Sequence, residues 1–366
     1  MMSEKMQTRN YGIDFLRIIS MIMIVTLHVL GHGGIIEGSE LYPIRNKIIW
    51  LMEISSYCAV NIYGIISGYV GYGRKHKISS LIYLYFQVIF YTLPISIIYM
   101  IKSQSVDWNM LKIAVNPVQF NVYWYFTAYF SLFFFMPFFN IILDRFTRNE
   151  MKKLIVCILI IFSVLPTIFY TDYSETKNGY SFLWLASLYL LGGYMKKYNI
   201  VFLKRKCLFG YSFCVLFTWG MKIGIISNIL DTFSDSKIDF VQYTSPTIIL
   251  CAVFLFQFFK NIKYKKSIIN FITFFSPISF GVYLFHEEPL IREYFINGRF
   301  VEYLSKKFIS CMLYIIITII VIWLVGSLVD KIRLILFEFF KIQEFCKWIE
   351  KKVYCLGERI NKNLIE

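Results

Sequence analysis

Arg17 and His28 are the two side chains whose types and spacing first suggest a reaction; both lie in YGIDFLRIISMIMIVTLHVLGHGG. An imidazole titrates near neutrality and can take the proton of a hydroxyl as that hydroxyl attacks. A guanidinium holds phosphate or carboxylate through a rigid fork of donors. On a helix, eleven residues turn through about 1100° and rise about 16 Å, so the two side chains lie within roughly 20° of one line. Asp14, three residues before Arg17, shares that face and can pair with it. The pattern suits a ligand with a phosphate-bearing end on one side and a reactive group deep within. It specifies no reaction by itself. Each residue also has a plainer reading, Arg17 as a cation reaching for an interface and His28 as a hydrogen-bonded packing residue.

Other ionisable or polar groups interrupt apolar sequence, where each is costly and calls for a reason. Glu53 is expected at a depth comparable with His28, where it could orient the imidazole as the acid of a catalytic triad does. It could instead face lipid headgroups. Ser67-Gly68, in IYGIISGYVGY, offers a small surface for close helix contact, with a nucleophilic serine as the alternative. SPISFGVYLFHEEPLI carries His286, Glu287 and Glu288. Either the two acids face water and His286 packs at the rim, or His286 meets His28 at a shared site. Lys222 has no evident partner and is read as reaching outward.

These groups need a scaffold, and composition indicates which. Of 366 residues, 57% are hydrophobic and 19% aromatic, too many for a soluble domain to cover with polar surface. Apolar stretches recur at about the length that crosses a bilayer core of roughly 30 Å. The chain is therefore read as an all-α polytopic membrane bundle of about ten transmembrane helices. The expected spans are 11–31, 47–72, 80–101, 122–143, 153–171, 181–195, 208–228, 244–260, 270–290 and 308–330. Within lipid the backbone must be helical, because no water is present to satisfy free N–H and C=O groups.

The net charge of +15 follows the same topology. About two thirds of the 38 Lys and Arg fall in the segments on the N-terminal side of the membrane, the positive-inside asymmetry. Both termini are expected in the cytoplasm, and no nucleic-acid partner is implied. The eight cysteines avoid the expected outside loops and form no CxxC metal signature, so neither a disulfide framework nor a metal is expected. The first span lacks a small-residue cleavage site and is read as a retained helix. Residues 1–330 form the expected transmembrane domain, and 331–366 a cytoplasmic tail. Within that tail, Ile332 to Val353 reads as an amphipathic helix on the inner leaflet, or as a partner-binding helix.

Four segments together resemble acyltransferase family 3, the membrane O-acyltransferases of bacterial surface polysaccharides. NYGIDFLRIISMIMIVTLHV is similar to the family's opening signature, with its Arg-x10-His carried by Arg17 and His28. IYGIISGYVGY resembles a Phe-x-x-Ser-Gly-Phe-like segment through Ser67 and Gly68. VYWYFTAYFSLFFFMPFF resembles an aromatic Trp-Phe segment, with Trp124 and Pro137. FGVYLFHEEPL resembles a Tyr-Leu-x-His segment through Tyr283 and His286. Glu287 and Glu288 depart from the pattern, where the family commonly has apolar or aromatic residues, and no appended extracytoplasmic domain is read here.

The resemblance implies a ten-helix enzyme of the bacterial cytoplasmic membrane that moves an acyl group, usually acetyl, from cytoplasmic acyl-CoA. The acceptor would be a hydroxyl of a cell-envelope glycan or its lipid-linked precursor. Acetyl-CoA would be a co-substrate, with no bound cofactor. Arg17 and His28 would be the essential pair, with Asp14, Glu53, Ser67, Trp124, Tyr283 and His286 binding donor or supporting the site. A transporter or flippase of a glycan or small anion also uses intramembrane charge, though no pairing of interrupted helices points to one. A membrane polymerase or glycosyltransferase would carry a large outside loop, and the connections here are short.

Overall fold

Asn10 starts the first long helix: its side chain accepts from the Ile13 N–H, satisfying one of the free donors of a helix start. From there the computed structural model is predominantly helical. It describes residues 9–225 and 239–363, of which none forms a strand. The long helices are α1 (Tyr11–Leu30), α2 (Pro43–Ser56), α3 (Ala59–Gly71), α4 (Ile78–Ser103), α5 (Trp124–Arg145) and α6 (Arg148–Phe169). They continue as α7 (Phe182–Lys197), α8 (Lys204–Lys222), α9 (Pro246–Lys260), α10 (Lys266–Phe275), α11 (Ser279–His286), α12 (Phe308–Phe339) and α13 (Ile342–Asn363).

Seven helical segments among the described residues are long and apolar enough to cross a membrane: α1, α2 with α3, α4, α5, α6, α10 with α11, and α12. This is a multi-pass membrane protein. Three further expected spans correspond to α7, α8 and α9. The first and last are short, at 16 and 15 residues, and α8 opens on Lys204, Arg205 and Lys206. The end of the expected span 208–228 lies outside the described residues.

α1 lies in the middle. It packs against α2, α3, α9, α10, α11 and α12, and two thirds of it is buried. Its start is pinned to α9, where Asn10 donates to the Lys260 carbonyl. A Cβ on Gly12 would overlap the Phe259 carbonyl, so glycine sets that approach. α3 and α7 meet in the same manner. Gly68 lies on the backbone of Tyr189 and Gly192 on that of Ile65, the small-residue contact expected of IYGIISGYVGY.

Three expected helices differ from their sequence reading. The span 47–72 is interrupted at Tyr57 and Cys58, where the Tyr57 N–H tightens onto the Ile54 carbonyl. The span 270–290 passes through a 3-10 turn at Ser276–Ile278, which contains Pro277, and stops at His286 ahead of Pro289. The last span does not end at 330. α12 continues to Phe339, and the break before the amphipathic α13 comes at Lys341, whose φ is +52°.

The cause of that continuation is a buried ion pair. Arg333, read from sequence as a tail cation, is 1% exposed and bonds both oxygens of Asp330, at 2.9 and 2.6 Å. Tyr91 and Gln87 of α4 donate to Asp330 at 2.6 and 3.2 Å, and Arg333 donates to the Tyr83 hydroxyl. The network ties α12 to α4, with every charge answered. Tyr91→Phe is expected to weaken that tie by about 1.5 kcal/mol, since the lost bond is to a charged group. Denaturant unfolding of the detergent-solubilised protein measures it.

Candidate active site

His28 ends its helix facing α11. Its Nδ1 lies 2.8 Å from Nε2 of His286, and His286 Nδ1 lies 2.6 Å from the Val282 carbonyl. A carbonyl only accepts, so His286 carries its proton on Nδ1 and presents a bare Nε2. His28 Nδ1 is then the donor to it, which leaves His28 Nε2 as the free lone pair. The half-buried His28, the fully buried His286 and one backbone carbonyl thereby fix a tautomer suited to a base.

Glu287 stands beside this pair. Its Oε1 is 3.2 Å from His28 Nδ1 and 3.5 Å from His32 Nε2, and its Oε2 accepts from Arg292 at 3.1 Å. The sequence left open whether Glu287 and Glu288 face water. They do not: they are 6% and 3% exposed. The Pro289 break folds the chain back over the site, so Glu288 caps the short helix Pro289–Phe295 by accepting from Leu290 and Ile291. The carboxylate at His28 is thus Glu287 and not Glu53. Glu53 is buried elsewhere, its Oε2 without a hydrogen-bond partner among the described residues.

On its other side His28 lines a cavity of about 30 Å³ together with Tyr63, Trp124, Tyr125, Tyr243 and Tyr283. That volume admits water or a single hydroxyl group. Tyr123 donates to the Leu284 carbonyl, holding α5 against α11 beside it.

Arg17 occupies a different setting. Asp14 accepts from Arg17 at 2.8 Å and from Arg9 at 2.6 Å, so one carboxylate serves two guanidinium groups. Arg17 lines two adjoining cavities. One, of about 380 Å³, also meets Arg9, Arg74 and Lys196; the other, of about 230 Å³, meets Ser67, Lys75, His76, Lys77 and Tyr129. Six cations and one carboxylate line this space. Burial holds His76 below the usual imidazole range, partly offset by Glu350, so the vestibule's charge comes from Lys and Arg. Tyr63 joins the two ends: it lines both the vestibule and the His28 cavity, and donates to the Arg17 carbonyl.

Of the residues singled out in sequence, Arg17, Asp14 and Ser67 gather at the vestibule, and His28, His286, Trp124 and Tyr283 at the other end. Ser67 donates to the Tyr63 carbonyl and lies away from His28. Lys222 has a partner after all, the face of Trp50 at 4.3 Å. Sequence reading passed over His32, Arg292 and Tyr63. His32 had a signal, being one turn beyond His28.

A family model described as an acyltransferase domain matches residues 10–329. The chain belongs to this acyltransferase family. The match takes in both histidines, Glu287 and the vestibule residues other than Arg9. No curated protein and no solved structure gives a significant match. With its apolar helices, the chain is a membrane acyltransferase.

His28, His286 and Glu287 also bring one donor atom each within 4.8 Å of the others, and these are ligand types of a zinc site. Arg292, bonded to the other oxygen of Glu287, disfavours a dication there, and the two imidazoles already stand at hydrogen-bond separation. Exhaustive chelation is therefore expected to leave turnover unchanged. Activity lost to a chelator and restored by added zinc would assign the trio to a metal.

Proposed function

We propose that this acyltransferase moves an acyl group, most simply acetyl, from cytoplasmic acyl-CoA to a hydroxyl of a cell-surface polysaccharide or its lipid-linked precursor. The observation that carries the reading is the pairing, along α1, of a cationic vestibule with a tautomer-fixed imidazole. Counting α7, α8 and α9, the chain crosses a bacterial cytoplasmic membrane ten times. Both termini and the vestibule are then cytoplasmic.

CoA is a polyphosphate with a long flexible arm ending in the thioester. Arg17, Arg9, Arg74 and Lys196 present charge for the phosphates. The arm lies along Tyr63 and Tyr129 toward His28. There the acceptor hydroxyl gives its proton to His28 Nε2 as its oxygen attacks the thioester carbonyl, and the thiolate leaves. Glu287, beside Nδ1, stabilises the imidazolium that forms, as the acid of a triad does. The cavity holds about one water-sized group, so an acceptor hydroxyl seated there displaces the water that would otherwise compete as nucleophile.

The test is reconstitution of the purified protein in liposomes with labelled acetyl-CoA and the glycan of the source cell. Label is expected in an alkali-labile ester on the glycan. Glycan crossing the bilayer with no acyl donor present would instead establish a flippase. Proton NMR of surface glycan from a deletion strain, compared with the parent, identifies the sugar and hydroxyl through the missing acetyl resonance.

A further inference from the structure

α13 has two apolar faces, and the fold covers one of them. Ile342, Cys346 and Ile349 turn inward, with Cys346 fully buried where α13 packs against α4 and α12. At 100° per residue, Phe345, Trp348, Lys352 and Leu356 fall within an arc of roughly 80° on another side. Phe345 and Trp348 are 46% and 55% exposed, and their rings stack with centroids 5.8 Å apart. Phe345 also meets Phe86 of α4 at 6.0 Å, which holds this uncovered face beside the bundle. Lys341, Lys347, Lys351 and Lys352 are exposed around it, and Lys352 lies over the Trp348 ring at 5.6 Å. Glu344 is the one exposed acid among residues 341–352.

What covers the arc follows from what it adjoins. α12 spans the membrane, and its outward side holds Ile332, Ile335 and Phe339, each more than half exposed. Its 32 residues make about 48 Å of helix, more than a hydrocarbon core of roughly 30 Å requires, so its last turns reach the interface. The chain then presents Phe339, Phe340, Phe345 and Trp348 in succession across the turn at Lys341. A strip that begins on lipid continues on lipid, and a protein partner would have to displace bilayer to reach its first half. Exposed aromatic residues on one face, with lysines about them, compose a helix that lies in the headgroup layer. Lysines there favour anionic headgroups.

We propose that α13 docks on an anionic lipid surface. Phe345, Trp348 and Leu356 enter the acyl boundary, and Lys341, Lys347, Lys351 and Lys352 lie among the headgroup phosphates. The sequence allowed a lipid surface or a partner protein over 332–353. The structure gives residues 332–339 to the spanning helix and leaves the uncovered face on the helix after it, next to lipid. This surface adjoins the vestibule, because α4, on which α13 packs, contributes Ser80 to that space. The inference does not depend on the transfer chemistry.

The experiment uses the full chain in lipid nanodiscs of phosphatidylcholine, with and without phosphatidylglycerol. Subtracting the emission of Trp348→Phe from that of the wild type isolates Trp348 from the other tryptophans. With phosphatidylglycerol present, Trp348 is expected to be quenched by lipids brominated on their acyl chains and shielded from aqueous acrylamide. Without it, or at high salt, that quenching is expected to fall. Lys347→Gln combined with Lys351→Gln is expected to weaken docking about 25-fold, since each lysine near an anionic surface is worth a factor of about five. More phosphatidylglycerol is then needed to reach the same quenching. Both lysines are exposed, so the variant is expected to fold, and an unchanged melting temperature confirms it. The proposal is overturned if acrylamide reaches Trp348 and brominated lipid does not, the result expected of a face kept for a protein. It is also overturned if brominated lipid quenches Trp348 equally in the two bilayers, or equally in the lysine variant and the wild type.

Discussion

His28→Ala abolishes ester formation while the protein still inserts and folds. A hydroxyl is a poor nucleophile until a base removes its proton during attack, and such a base contributes about 10² to 10⁴ in rate. His28 Nε2 is the group placed for this, since His28 Nδ1 is engaged with His286 and Glu287. Alanine leaves a small void beside a cavity that already holds about 30 Å³, and most of the packing of α1 comes from other residues. Expression and thermal stability are therefore expected to stay near wild type. The measurement is the initial rate of label transfer from acetyl-CoA to glycan. A variant that acylates at close to the wild-type rate would remove His28 from the mechanism.

Arg17→Ala raises the KM for acetyl-CoA about ten- to hundredfold, because the lost contact joins two charged groups and is worth about 1.5–3 kcal/mol. The effect falls on donor binding rather than on the chemical step, so acceptor affinity is unchanged. Asp14 keeps Arg9 as its partner in the variant, which limits the structural damage. Arg17→Lys recovers only part of the loss, since an ammonium keeps the charge but not the planar fork. Raising ionic strength weakens donor binding in the wild type more than in the variant, because the vestibule is open to solvent and screened. If both proteins show the same KM for acetyl-CoA, the vestibule does not bind the donor.

The helix that carries these two residues was legible because its signals are local. Mean composition, stretches of bilayer length and the Arg-x10-His spacing can all be counted along the chain. A continuous helix over Tyr11–Leu30 follows from them, with Arg17 and His28 on one face. Where the sequence reading went astray, a contact distant in sequence decided the outcome. Asp330 and Arg333 look like the end of a span and the start of a tail. Tyr83, Gln87 and Tyr91, some 240 residues earlier, make it favourable to bury both and extend the helix. Depth along the chain offered Glu53 as the carboxylate for His28 and left Glu287 among acids read as facing water. The Pro289 break, together with Arg292 on the far oxygen of Glu287, settled the choice.

The sequence by itself determined that the chain is helical, spans membranes and belongs with acyltransferases, since apolar length and motif spacing are properties of the covalent chain. Tertiary structure decided which acid meets the imidazole, which nitrogen keeps its lone pair, and that Arg17 opens on a basic vestibule whereas Ser67 stands far from the base. Those features depend on hydrogen bonds between helices up to 258 residues apart, such as His28 to His286. A hydrogen bond holds only over about 3 Å, so its partner can be named only once packing has brought the helices together.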